Sequence, residues 1–557
     1  MIPSQKKGVE ELRWTIAEGA DKWLPPSLLD NLERFLLKNP PQEVIKESPV
    51  RTALIVSGPK GDLFLKRYKI RSLKEGLKYF FAPSKAQREW VMIHLAQRRG
   101  VPTSSPLAMG EERRGGILKE AFLITQAISP SKPLIELIHE GGQEAHILRA
   151  ARLIRRVHEA GLFHQDLHAG NILVQRDEGK LYLIDLHRSK PLRRIPERRR
   201  LWNLAQFFYS VRGWLPSEDK KGFLQLYDEE GNIFKEGLME VLGKIERLEE
   251  KIYRRHMKSR TKRCLKNSGG FYVAKEDGWR IWARRDWQPE GLLEAMKKHK
   301  DILASKKEGL IKDGRRTAIT LFEFMERRIC VKEYRHKGVL LRLKGPLRRS
   351  KARKGWLMGN GLVVRGIVGI TPLALLKRRR WGLPQEAFFI MESPPGYIEL
   401  DRYMVRTFGV SLYERVKKRA FLRTLAGFMA KLYLLKIAHR DLKTCNIIVK
   451  EEDDKWKFGL VDTDDVQLDK GIPKKRLIRE LVQMNTSTPL FIEMSDRIRF
   501  LVKYLKLIGR YKARDILPKV IRGSKGRELV YVSSEGDVVM EVNWEKVCTA
   551  DFSATTS

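Results

Sequence analysis

The chain has 557 residues and a net charge of +42, from 110 Lys and Arg against 68 Asp and Glu. An apolar content of 42% supports packed cores and excludes a disordered polyelectrolyte, and the length calls for two or more domains. No uncharged apolar run approaches the roughly 18–20 residues of a membrane span, no apolar segment follows Met1 to make a secretory signal, and the four cysteines (Cys264, Cys330, Cys445 and Cys548) form no C-x-x-C pair. These features lead to the expectation of a soluble intracellular protein with small buried thiols. The charge surplus favours an anionic partner: nucleic acid, an acidic membrane surface or a phosphorylated substrate.

In chain order, apolar periodicity predicts a helix over 28–37 and strands over 52–56 and 63–68. A helix follows over 85–98, then a strand over 121–125. The remainder of the first half reads as mainly helical, broken by one loop and strand near 164–185 and closed by a strand–turn–strand stretch over 271–287. The series then restarts: a helix over 292–303, strands over 317–322 and 329–334, a helix over 351–364, a strand over 387–391, a second such loop near 439–462 and a final hairpin over 530–544. Residues 306–312 read as a connector.

The restart is a duplication. Phe64-Leu65-Lys66-Arg67-Tyr68 answers to Cys330-Val331-Lys332-Glu333-Tyr334 at an offset of 266, ungapped through Trp90 and Trp356 to Glu120-Ala121-Phe122 and Glu386-Ala387-Phe388. The offset widens to 275 at His164 and His439, and to 277 at Asp185 and Asp462. The expected architecture is α+β, a small β-rich lobe before a larger helical lobe, twice over, with domains 1–290 and 291–557.

Two loops carry the chemistry, His164-Gln165-Asp166-Leu167-His168-Ala169-Gly170-Asn171 and His439-Arg440-Asp441-Leu442-Lys443-Thr444-Cys445-Asn446. Each is H-x-D-x-x-x-x-N, with an aspartate 14 or 16 residues further on. Phosphoryl transfer from a nucleotide uses each part. An aspartate, Asp166 or Asp441, orients the attacking hydroxyl and accepts its proton. An asparagine and a second aspartate, Asn171 with Asp185 and Asn446 with Asp462, offer hard oxygens to Mg²⁺. A small-lobe lysine, Lys66 or Lys332, pairs with the phosphates.

At these residues the chain resembles the protein-kinase-like fold; His439-Arg440-Asp441-Leu442-Lys443 with Asn446 is similar to the protein-kinase catalytic loop. A closer resemblance is to the lipopolysaccharide core kinases, the Kdo and heptose kinase family. It is carried by Arg88-Glu89-Trp90, Arg99-Gly100-Val101 and Pro106-Leu107-Ala108, and in the second copy by Lys354-Gly355-Trp356, Arg365-Gly366-Ile367 and Pro372-Leu373-Ala374. That resemblance implies ATP- and Mg²⁺-dependent phosphorylation of a sugar hydroxyl on the lipopolysaccharide inner core. It also implies a cytoplasmic protein, peripheral at the inner membrane, with an anionic glycolipid or sugar acceptor and an anionic membrane surface as partners. In the kinase fold Glu89 positions Lys66, and the backbone at Gln126 and Ala127, with Glu392 in the second copy, meets the nucleotide.

The copies depart from the pattern. Neither has a G-x-G-x-x-G phosphate cover; the first has Ser57-Gly58-Pro59-Lys60-Gly61 and the second Phe322-Glu323-Phe324-Met325-Glu326. Gly355 stands where Glu89 stands in the first copy, and no acid occurs over residues 334–385, so Lys332 is expected to lack a partner from that helix. Two basic runs, over 188–200 and 251–266, suit an acidic sugar and a solvated face or anionic lipid, respectively. Trp279, Trp282 and Trp287 suit inter-lobe packing. Two other functions stay open: a protein Ser/Thr kinase and a non-catalytic nucleotide-binding scaffold. A nucleic-acid partner is not expected, because no recognition motif accompanies the charge.

Overall fold

The computed structural model describes residues 10–141, 144–287, 289–306, 308–335, 350–380, 383–409, 415–532 and 538–543. The chain divides into two units, Met1–Tyr253 and Arg254–Ser557.

The small lobe of the first unit is a six-stranded antiparallel sheet. Its order is Glu10–Ile16, Pro106–Arg114, Ile117–Gln126, Gly61–Lys69, Arg51–Gly58, Glu43–Ser48. Side chains alternate across a strand, and that period aims the lysine. Leu63 and Leu65 point to one face, into a cluster with Ala20, Leu24, Leu28 and Phe35. Lys66 and Tyr68 are buried on the other, where Tyr68 packs with Ala86 and Ile93 of the Lys85–Arg98 helix. Ser84 caps that helix by accepting from the Gln87 amide at 3.0 Å, and Gly100, at φ 69°, follows its end. The expected helix over 28–37 is two short helices, Pro26–Asp30 and Leu32–Lys38. Asn31 breaks the run by turning extended to cap the second, accepting from Arg34 N at 2.9 Å.

The second unit repeats this sheet with one strand more. Its order is Phe271–Glu276, Trp279–Arg284, Thr371–Arg380, Leu383–Glu392, Arg327–Arg335, Thr317–Phe324, Leu310–Asp313. The last strand overlaps the stretch expected to be a connector. Trp279–Arg284 holds the place that Glu10–Ile16 holds in the first unit: Ile16 pairs with Ala108, and Ala283 with its counterpart Ala374. The hairpin over 271–284 therefore opens the second unit, and the division falls at Tyr253 and Arg254, ahead of the expected residue 290. Its tryptophans belong to the second small lobe. Trp282 packs with Trp356 and Phe389, and Trp287 with Ile329 and Phe322; Trp279 lies 5.8 Å from the Phe388 ring. The terminal strands Glu528–Val532 and Val538–Asn543 pair; Gly536 lies outside the described residues.

Each larger lobe is helical. In the first, Glu144–Glu159, Glu197–Ser210 and Ser217–Tyr227 pack around Ile154, Phe207, Phe208 and Phe223. In the second, Arg415–Leu434, Lys474–Asn485 and Met494–Ile508 pack around Phe421, Leu425, Leu481 and Leu501. Cys264, Cys330 and Cys445 are free thiols.

Candidate active sites

In the first unit the sequence-predicted residues converge. Lys66 Nζ donates to Glu89 Oε1 at 2.6 Å and to Asp185 Oδ1 at 3.1 Å. Glu89 Oε2 accepts from the Tyr68 hydroxyl at 2.8 Å, so both carboxylate oxygens are used. Burial opposes the charge on Lys66, but Glu89 and Asp185 outweigh it and raise the ammonium pKa. Burial likewise opposes ionisation of Asp185; Lys66, His187 and Arg51 overcome that and hold it well below the usual carboxylate range. Arg51 is 3.5 Å and His187 Nδ1 2.9 Å from Asp185 Oδ1. Asp185 itself is left-handed, at φ 62°, a conformation aspartate tolerates better than most residues.

Asp166 lies on the loop after the Leu162–His164 strand. Its carboxylate is half-exposed, and Oδ2 accepts from Arg188 at 2.8 Å. Its backbone is clamped: the amide donates to His164 Nδ1 at 3.3 Å, and the carbonyl accepts from Asn171 Nδ2 at 2.9 Å. His164 is pushed down to about 4 by burial, so it is a neutral strut.

The second unit holds the same frame with a different lysine environment. Asn446 Nδ2 donates to the Asp441 carbonyl at 2.7 Å, and the Asp441 amide donates to His439 Nδ1 at 3.2 Å. Asp441 faces Gln483 at 3.3 Å and Lys443 at 3.6 Å rather than an arginine. Asp462 is again left-handed, at φ 52°. Lys332 Nζ donates to Asp462 Oδ1 at 2.6 Å and to Asp464 Oδ1 at 2.8 Å. The lysine unpartnered by its helix thus finds its second carboxylate in the loop. Burial raises the Asp464 pKa and the neighbouring Asp462 adds to it; burial also opposes ionisation of Asp462, but its contacts with Asp464 and Lys332 lower its pKa.

The remaining expected residues line up less directly. The Gln126 amide donates to Ser105 O at 2.8 Å and the Ala127 amide to Asp62 O at 2.9 Å, so both N–H groups are spent within the lobe. Glu392 reaches Arg327 at 3.6 Å. The glycine turn of the first unit joins Arg51–Gly58 to Gly61–Lys69, with Gly61 at φ 138°; the second unit makes its turn with Met325 and Glu326, at φ 50° and 57°. In the first basic run Arg188 meets Asp166, Arg199 lies 5.2 Å from the Phe163 ring, and Arg200 donates to Tyr227 at 3.1 Å. Arg193, Arg194 and Arg198 are exposed. The second run is no simple solvated face: Cys264 is buried, and its carbonyl accepts from Trp356 Nε1 at 3.0 Å.

These donor sets fit a hard cation. In each unit the asparagine amide nitrogen is tied to the loop, which leaves its oxygen, beside an ionised aspartate, for Mg²⁺. Glu89, Asp185 and His187 also bring ligand atoms within 4.8 Å of one another, although Lys66 already engages the two carboxylates. Sequence reading missed Arg51, Tyr68, His187 and Asp464. Tyr68 recurs as Tyr334 in the repeat, and Asp464 stands as the second acid of Asp462-Thr463-Asp464; Arg51 and His187 carried no such signal.

The family model described as the lipopolysaccharide kinase (Kdo/WaaP) family matches residues 50–227 and again 306–504, together more than half of the chain. A solved structure described as WaaP in complex with acyl carrier protein is similar at 23% identity, covering 43% of this chain and 99% of that chain, with a TM-score of 0.31. No curated protein matches the chain. A lysine held by two carboxylates, one of them a left-handed aspartate, recurs in both matched segments. The chain belongs to the lipopolysaccharide kinase (Kdo/WaaP) family as a tandem duplication of a bilobal kinase-like domain, and it is an ATP-dependent phosphotransferase.

Proposed function

We propose that the first unit transfers the γ-phosphoryl group of ATP to a sugar hydroxyl of the lipopolysaccharide inner core, Kdo or heptose, or of a related lipid-linked glycan. The observation that supports this most is the Asp166–Arg188 pair beside the Lys66–Glu89–Asp185 cluster. Lys66, held by Glu89, binds the phosphates. Asn171 and Asp185 hold Mg²⁺, which when bound neutralises phosphate charge. Asp166 accepts the proton of the sugar hydroxyl. An acceptor carboxylate or phosphate draws the Arg188 guanidinium off Asp166, since arginine binds such groups in a bidentate manner. Acceptor binding thereby frees the base.

Among the described residues no helix is long and apolar enough to cross a membrane. We place the enzyme at the cytoplasmic face of the inner membrane, with Arg193, Arg194 and Arg198 toward anionic headgroups.

The test is transfer of radiolabelled phosphate from ATP to purified inner-core glycan and, separately, to protein. Label on the glycan, lost in Asp166→Ala, is the expected result. Label on protein alone favours the Ser/Thr kinase suggested by Arg440-Asp441-Leu442-Lys443. Nucleotide binding without transfer to either favours a scaffold.

A further inference from the structure

The second unit lacks the helix glutamate, and the space that residue would need has been rebuilt. Tyr68 donates to Glu89 in the first unit. Its counterpart Tyr334 is 5% exposed, yet its hydroxyl has no hydrogen-bond partner among the described residues. A buried hydroxyl is rarely left so, and this one marks where a carboxylate is missing. Leu123 of the first unit is replaced by Phe389, which is 1% exposed and packs with Trp356 and Tyr334. A Cβ added at Gly355 would lie 3.1 Å from the Phe389 ring. That is tighter than ordinary contact, so a side chain at 355 would press on the ring.

The missing carboxylate is supplied from the opposite side. Lys66 bridges Glu89 and Asp185 at 2.6 and 3.1 Å; Lys332 bridges Asp464 and Asp462 at 2.8 and 2.6 Å. In either unit the lysine is held by two carboxylates, one of them the left-handed aspartate. The loop that carries Asp464 is fastened to the glutamate-less helix at its vacant position: Thr463 Oγ1 donates to the Gly355 carbonyl at 3.1 Å. One residue earlier, Lys354 Nζ donates to the Asp464 carbonyl. Asp464 is 7% exposed and Thr463 2%. The first unit has His187 at the position of Asp464, and there His187 meets Asp185 and not the lysine.

We propose that Asp464 is the positioning residue of the second unit, taking over from the helix glutamate the task of holding Lys332 toward nucleotide phosphates. The second unit is then a working Mg-ATP site of altered wiring rather than a decayed one. This needs only the nucleotide dependence of the family and no particular acceptor, so it stands or falls apart from the reading of the first unit.

The experiment measures equilibrium Mg-ATP binding to the full-length chain in a Lys66→Met background, which removes the phosphate lysine of the first unit. A remaining site is expected. Asp464→Asn should weaken it about tenfold or more, since a hydrogen bond to a charged group contributes about 1.5–3 kcal/mol. Asp464→Glu should recover part of that affinity while Gly355→Glu, added to Asp464→Asn, should recover none. A thermal melt confirms that each variant folds. If Asp464→Asn does not fold, Lys332→Met in the same background decides, because the site must be lost with the lysine that Asp464 positions. Absence of a remaining site in Lys66→Met, unchanged or tighter binding in Asp464→Asn, or a site that survives Lys332→Met each overturns the proposal.

Discussion

The two units keep the same strand lysine and the same left-handed aspartate, yet Lys66 takes its second carboxylate from a helix and Lys332 from a loop. The comparison teaches what the fold protects. Strand alternation fixes where the lysine points, and a buried ammonium without a counter-charge would cost several kcal/mol. Some carboxylate must therefore reach it, but the scaffold does not dictate which element carries that carboxylate. Asp166 and Asp441 differ in the same way. Asp166 faces the guanidinium of Arg188, whereas Asp441 faces an amide and a more distant ammonium. The lysine–aspartate frame is thus shared in outline, while the surroundings of Asp166 and Asp441 differ.

The largest expected effect separates the units by their bases. Asp166→Ala should lower kcat by about 10²–10⁴-fold, the usual contribution of a general base, with Mg-ATP affinity nearly unchanged. Asp441→Ala should show whether any remaining turnover comes from the second unit. Steady-state phosphate transfer by both single variants and the double variant reads this. Full activity in Asp166→Ala that the double variant retains would remove both assignments.

The next effect tests the helix glutamate. Glu89→Gly strips Lys66 and Tyr68 of their partner and places a glycine inside a helix, which costs about 1 kcal/mol of helix stability by itself. Activity should fall far more than that loss of stability explains, and Glu89→Ala, which keeps a good helix former, should lose just as much activity. The reverse change, Gly355→Glu, should not improve the second unit, because a Cβ at 355 crowds the Phe389 ring and Asp464 already holds Lys332. Mg-ATP affinity and melting temperature, measured on the same samples, separate the two contributions. Equal losses in activity and stability for Glu89→Gly would reduce Glu89 to a structural residue.

How far the sequence led depends on the range over which its signals act. The H-x-D-x-x-x-x-N loops were legible because the pattern lies within eight consecutive residues, and the Lys66–Glu89 pair because the offset of 266 carried it into register with Lys332 and Gly355. The absence of any acid over residues 334–385 was also legible, and it denied Lys332 a carboxylate from the 351–364 helix. It could not reveal that Asp464, 132 residues from Lys332, closes the gap. The same limit moved the domain boundary. The hairpin over 271–284 was readable as a hairpin, but which sheet it joins is decided by pairing with residues 374–378, far along the chain.

A smaller effect concerns the acceptor. Arg188→Ala should raise KM for an anionic acceptor and leave KM for ATP nearly unchanged, with little change in fold stability, because an exposed ion pair contributes about 0–1 kcal/mol. The corresponding second-unit position is Asp465, so no such selectivity is expected at Asp441. Kinetics with an anionic acceptor and a neutral analogue read it. Equal effects on both acceptors would detach Arg188 from acceptor charge.

The smallest effect is a matched pair of hydroxyl deletions, and it tests the comparison where the two sites differ by one hydrogen bond. Tyr68→Phe removes a donor from Glu89 and leaves Oε2 buried without one, a loss of about 1–3 kcal/mol for an unsatisfied buried acceptor. Tyr334→Phe removes a hydroxyl that has no partner among the described residues and is already desolvated. Deleting an unsatisfied buried polar group is neutral or stabilising, because the unfolded chain loses its hydration while the folded one loses nothing. The two substitutions are chemically identical and sit at equivalent positions, so side-chain volume and strand propensity cancel between them. The difference in melting temperature between Tyr68→Phe and Tyr334→Phe isolates the contribution of the glutamate partner. Equal destabilisation would mean that the Tyr334 hydroxyl is bonded after all, and that the vacancy beside Gly355 is filled by something other than the Phe389 ring.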